Sequence, residues 1–100
     1  MNDPLPEDVV ERVRRDFGER AEVILALLLA SRRLGSADYI GDLLVRCIVF
    51  AAHGAEERLR DLLELERQDF RDVIMAAEYD ALGTRHLWDF NRPFASAGIE

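Results

Sequence analysis

The sequence predicts an all-α fold: a small bundle of four to five helices with an extended aromatic C-terminal tail packed on it. Three observations carry this. Apolar residues recur at helical spacing through most of the chain. Glycines fall where one periodic segment gives way to the next, at Gly18, Gly35, Gly54 and Gly83. No alternating pattern runs long enough to build a sheet. With 100 residues the chain reads as a single domain. Residues 1–5 are expected as a loose N-terminal arm and residues 84–100 as the extended tail.

Pro6 suits the first turn of a helix, and Glu7 and Asp8 favour its positive end. Val9, Val10, Val13 and Phe17 then make one stripe, with a break or bend expected at Gly18. The second helix spans Glu19–Leu34, with acids Glu19 and Glu22 at its start and Arg32 and Arg33 at its end, an order that complements the helix dipole. From Val23 to Ala30 it is apolar on every face, so it has to be enclosed by other helices or by another subunit. Ser36 or Asp38 caps a third helix that runs to about Ala52, in which Gly41 costs roughly 1 kcal/mol against alanine. Helices 2 and 3 are expected to form the core.

Ala55–Leu82 keeps helical spacing, but Arg67-Gln68-Asp69 is polar on every side. Asp69 is a good N-cap with Asp72 three residues on. The chain is therefore read as two helices, Ala55–Arg67 and Asp69–Leu82, with one uninterrupted helix as the alternative. The tail carries Trp88, Phe90 and Phe94, three of eight aromatics, so it is expected to dock in a groove of its own chain or of a partner.

Bulk chemistry excludes several functions. The net charge is −7 and the pI near 4.8. Without a basic footprint, nucleic acid is not an expected partner, and an anionic membrane surface is disfavoured for the same reason. All 13 basic residues are arginine, which rules out a Schiff-base or phosphate-loop lysine. The opening MNDPLPEDVV is acidic and lacks the apolar run of a signal peptide. The longest apolar run, Val23–Ala30, is too short to span a bilayer. A cytoplasmic location is the expectation.

Arg46 stands in the middle of the apolar segment Leu43–Ala52, where a guanidinium must meet a carboxylate or reach water. Glu78 is the first choice of partner, with Asp72 and Asp69 as further tertiary candidates and Asp42 as a local one. A structural ion pair between helices outweighs the rival reading, a small-anion or small-ligand site built on Arg46 with Glu78, Asp72, Tyr39 and Tyr79. The acids do not read as a metal site, because no Glu-x-x-His is present and His53 and His86 are poorly placed. Cys47, the single cysteine, reads as core filler. No nucleophile elbow or glycine-rich phosphate loop appears, so neither an enzyme nor a cofactor is expected. Trp88, Phe90 and Phe94 are candidate partner anchors, weighed against intramolecular packing.

Arg46-Cys47-Ile48, His53-Gly54, Asp69 to Ile74, Ala77 to Asp80 and Asp89 to Phe94 together resemble a family of small uncharacterised bacterial all-helical proteins. The similarity covers about Leu43–Phe94. It implies a small bacterial helical domain whose tail belongs to the fold, and brings no activity, cofactor or partner. The preferred function is a non-enzymatic protein–protein interaction or self-associating scaffold module. A homodimer is expected, because the all-apolar second helix exceeds what one chain of this length covers.

Overall fold

The computed structural model describes residues 3–37, 39–79, 83–86 and 88–97. It is mostly helical, with five α-helices among the described residues: α1 (Glu7–Phe17), α2 (Ala21–Ala30), α3 (Asp42–Ala52), α4 (Glu56–Gln68) and α5 (Phe70–Glu78). No strand is present among the described residues, where Tyr79 and Arg85 form an isolated antiparallel bridge. Among the described residues, no helix is long and apolar enough to cross a membrane.

The expected bend after α1 falls at Gly18, which takes φ +51° and starts a 3₁₀ turn over Gly18–Arg20. The break between α4 and α5 falls at Asp69, whose extended backbone stops one helix while its carboxylate caps the next through the Arg71 N–H. Between α3 and α4, His53 and Gly54 both adopt left-handed conformations. Gly54 also presses against the end of α1, where a Cβ would lie 2.7 Å from the Asp16 carbonyl oxygen. Glycine is required there twice over, for its φ and for its missing side chain.

Three boundaries differ from expectation. The second helix is confined to Ala21–Ala30, because the chain then turns and Ile40 N–H returns to the Ser31 carbonyl at 3.0 Å. The third helix starts at Asp42 instead of near Ser36, with Gly41 at its N-cap, where the glycine carries no helix-interior cost. Asp38, the other expected cap, lies outside the described residues. The last helix ends at Glu78, where Tyr79 turns extended and the His86 N–H donates to the Glu78 carbonyl at 2.7 Å. The expected end of that helix, Asp80–Leu82, is outside the described residues.

The core gathers on α3, against which α1, α4 and α5 all pack. Val45 through Val49, with Ala51 and Ala52, are buried, so this helix is enclosed on nearly every side. Val9, Val13 and Phe17 reach it from α1, Leu59 and Leu62 from α4, and Val73 and Ala77 from α5. The largely apolar α2 is not the second central helix. It packs chiefly on α1, buries Ala21, Ile24 and Leu28, and leaves the rest of its circumference partly or largely exposed. A helix can bury only the arc its neighbours cover, and α3 has taken the central position.

The tail returns to this core. Phe90 and Phe94 are buried, and the Phe50 ring of α3 lies 5.7 Å from Phe90 and 6.4 Å from Trp88, centroid to centroid. Beyond Asp89 the chain is folded into turns instead of running extended. Asp89 accepts from Asn91 N–H through its side chain and from Arg92 N–H through its carbonyl, and Ala97 N–H returns to Pro93.

Candidate functional site

On α1, Asp8, Arg12 and Asp16 follow one another at four-residue intervals beside the apolar stripe of Val9, Val13 and Phe17. The charged line thus faces the seam between α1, α3 and the tail. Arg46, on α3, reaches it from the other side. Its Nε and Nη2 donate to the two carboxylate oxygens of Asp8, each at 3.0 Å, and its Nη1 donates to the Phe90 carbonyl at 3.1 Å. Phe94 N–H completes the cluster by donating to Asp8 Oδ2 at 3.2 Å. One helical turn farther along α1, Arg12 pairs with Asp16 at 3.0 Å and lies over the rings of Phe50 and Phe94 at 5.6 and 5.2 Å.

The side chain of Arg46 is 5 % exposed and that of Asp8 20 %. Burial pushes the Asp8 carboxyl upward, but the Arg46 guanidinium and the Phe94 N–H outweigh it and hold the group below its ordinary value. The Asp8 carboxylate in turn raises Arg46, so both groups stay charged. A fork-to-fork pair with two further hydrogen bonds leaves little of either group open to a ligand. The recess above it, about 450 Å³ and lined by Pro6, Glu7, Glu11 and Pro93 as well as the pair, adds two acids where an anion would have to sit.

Arg46 therefore has a different partner from the one the sequence suggested. Glu78 pairs with Arg85 at 2.7 Å instead. Asp69 is occupied as the α5 cap and by Arg71, while Asp72 is exposed. All three expectations failed because α5 packs on the core through Val73 and Ala77, while Asp69 and Asp72 lie at its start and Glu78 turns to Arg85 at its end. Tyr39 and Tyr79 do not join Arg46 either. Tyr39 donates to Asp3, and Tyr79 is on the exposed side of the bridge to Arg85. The five side chains of the anion-site reading are thus not assembled around one point.

A second buried guanidinium belongs to Arg32, which the sequence alone marks only as a helix-end charge. It is 2 % exposed and sits between the N-terminal segment and the start of α3. It donates to Asp3 Oδ2 at 2.8 Å, to the Pro4 carbonyl at 3.0 Å and to the Ile40 carbonyl at 3.1 Å, with Asp42 at 2.8 Å and the Tyr39 ring 5.6 Å away. Asp3 N–H also donates to the Arg32 carbonyl at 2.7 Å. The segment expected to be a loose arm is tied down from Asp3 onward. Among the described residues, no buried side-chain nitrogen or oxygen lacks a hydrogen-bond partner.

Cys47 is buried beside these clusters, and desolvation, with a contribution from the Glu78 charge, pushes its thiol up to about 12. A thiol so placed is not a nucleophile near neutral pH. Among the described residues, no group of three or more histidines, cysteines and acids is placed to hold a metal. Of the three aromatic anchors, Phe90 and Phe94 are spent in this chain's own core, and Trp88 is half-buried against Phe50 and stacked on His86 at 5.3 Å.

What remains open is the outer face of α2. Leu25, Ala26 and Leu29, with Val10 and Arg14 of α1 and Leu5 before it, line an apolar recess of about 520 Å³. Leu29 is 37 % exposed. The sequence signalled this surface through the uninterrupted run of apolar residues. The chain gave no match when compared with protein-family models, with curated proteins and with solved structures.

Proposed function

We propose that this protein is a non-enzymatic protein–protein interaction or self-associating scaffold module, bacterial and cytoplasmic, whose docking face is the outer side of α2. The observation that carries the reading is the placement of the chain's most apolar helix at the periphery, with Leu25, Ala26 and Leu29 beside an apolar recess. Apolar surface gathered on one helix face marks a site of association more often than isolated exposed residues do. The buried arginine clusters support the same reading, since both are consumed in joining elements of the fold. The aromatic tail is then part of the scaffold that stiffens α1 and α3 behind the docking face.

A photo-reactive residue at position 26 tests the reading in the native cell, with a second at Arg60, exposed on α4, as control. The expected result is a protein adduct at position 26 that is absent at position 60 and lost when Leu29→Asp is added. Equal labelling at both positions, or none at 26, overturns the proposal.

A further inference from the structure

We propose that residues 3–5 are a releasable strap, hinged at Pro6, whose detachment opens the recess on the outer face of α2. As regulation of that face the proposal rests on the docking role given above; the strap itself rests on the Arg32 cluster alone. Pro4 and Leu5 line the recess together with Val10 of α1 and Leu25 and Leu29 of α2. Leu5 is half-buried and packs against the core. Pro6 stays with α1, since its carbonyl accepts from Val9 and Val10 N–H at 3.1 Å each. Upstream of Pro6, the hydrogen bonds among the described residues run to Arg32 and Tyr39. Asp3 Oδ2 accepts from both Arg32 Nη2 and the Tyr39 hydroxyl, and the Pro4 carbonyl accepts from the same Nη2. Asp3 also meets the Arg32 backbone, its N–H donating to that carbonyl. The segment therefore comes away as a unit once it leaves these two side chains.

Release leaves no buried charge without a partner. Arg32 keeps the Ile40 carbonyl at 3.1 Å and the Asp42 carboxylate at 2.8 Å, both on the body of the fold. One guanidinium is shared between a carboxylate on the strap and another on α3, so no orphaned ion holds the strap shut. The Arg46 clamp is built the other way. Among the described residues Asp8 is the one carboxylate that pairs with it, and their separation would orphan a buried guanidinium. The strap is thus a local opening unit, less stable than the core around α3. With residues 3–5 lifted, Val10, Leu25 and Leu29 lose a neighbour and the recess widens into a broader apolar face.

The test is the rate at which a thiol reagent labels Val10→Cys in the folded full chain, with buried Cys47 as internal standard. Adding Asp3→Ala should speed labelling at position 10 about tenfold, because two hydrogen bonds to the strap are gone. Cys47 should stay protected in that variant. Adding Asp42→Asn should slow labelling, because Arg32 then depends on Asp3 alone for a carboxylate. A position-10 thiol indifferent to Asp3→Ala overturns the strap. So does acceleration by Asp42→Asn, the mark of one cooperative clamp, or a Cys47 that opens in step with position 10. The photo-adduct at position 26 separates the strap from the docking face, and it should rise with Asp3→Ala. Thiol rates as expected with an unchanged adduct overturn the regulatory claim. The same rates with no adduct in either protein refute the docking face and leave the strap standing.

Discussion

Removing the carboxylate of Asp8 should cost this protein a large part of its stability. The Asp8→Ala variant leaves Arg46 buried, with only the Phe90 carbonyl of its three observed acceptor contacts, and strips Phe94 N–H of its acceptor. Breaking one side of a buried pair costs about 3–5 kcal/mol. Asp8 is partly exposed, so water recovers some of this, and about 3 kcal/mol is the expected loss. For a domain of this size that corresponds to a melting temperature lower by about 12 °C or more. Arg46→Met should cost less, about 1–2 kcal/mol, because the apolar side chain fills the space while Asp8 keeps its water and the Phe94 N–H. The double variant should then show a coupling of about 2 kcal/mol in a double-mutant cycle.

Urea unfolding followed by circular dichroism, with Trp88 fluorescence as a local reporter of the tail, measures all three. The pH dependence supplies an independent check. The folded state holds the Asp8 carboxyl below its ordinary value of 3.8, so it binds that proton less readily than the unfolded chain does. This stabilisation is complete above the unfolded value and is lost as pH falls through the lower folded one. Asp8→Asn should flatten the acid limb of the stability curve below about pH 4. A loss under about 0.5 kcal/mol for Asp8→Ala, the level of an exposed ion pair, would refute the reasoning, as would zero coupling to Arg46.

Gly54→Ala should destabilise by about 1–3 kcal/mol from its φ of +77° alone, and by more because the new Cβ meets the Asp16 carbonyl. Gly35→Ala, at φ +81° with nothing within 4 Å, should show only the conformational part, and equal losses in thermal melts would contradict the close approach. Arg32→Met should cost about 1–3 kcal/mol by leaving the Ile40 carbonyl without its donor, and limited proteolysis should then cut near Asp3 and Pro4 in the folded protein. Cys47 should resist a thiol reagent at pH 8 until the chain unfolds, so labelling that proceeds at the rate of a free thiol would show that α3 is not enclosed.

The local features were legible in the sequence because their causes are local. Gly18 ended α1, Asp69 capped α5 and separated it from α4, and Gly54 closed the turn after α3, each through a backbone conformation or a neighbouring N–H. The α1 stripe of Val9, Val13 and Phe17 was equally plain, since periodicity alone assigns a face. That Arg46 needed a carboxylate followed from the cost of burying a charge. Which carboxylate could not follow: Asp8 lies 38 residues away, and Glu78, Asp72 and Asp69 satisfy the same electrostatic demand on paper. A signal was present in the four-residue spacing of Asp8, Arg12 and Asp16 beside the apolar stripe, which places charge at the edge of the core.

The tertiary structure also decided what became of the two most apolar helices. By composition α2 and α3 are close to interchangeable as central elements. Only the packing of α1, α4 and α5 around α3 made one the axis of the core and left the other at the rim. The same holds for Arg32, a helix-end charge in the sequence and a buried clamp once the chain folds back through Ile40 and Asp3. Hydrophobic pattern states which residues need covering and charge states which need a partner. The surfaces and partners that meet those needs belong to the whole chain, because they come from segments far apart along it.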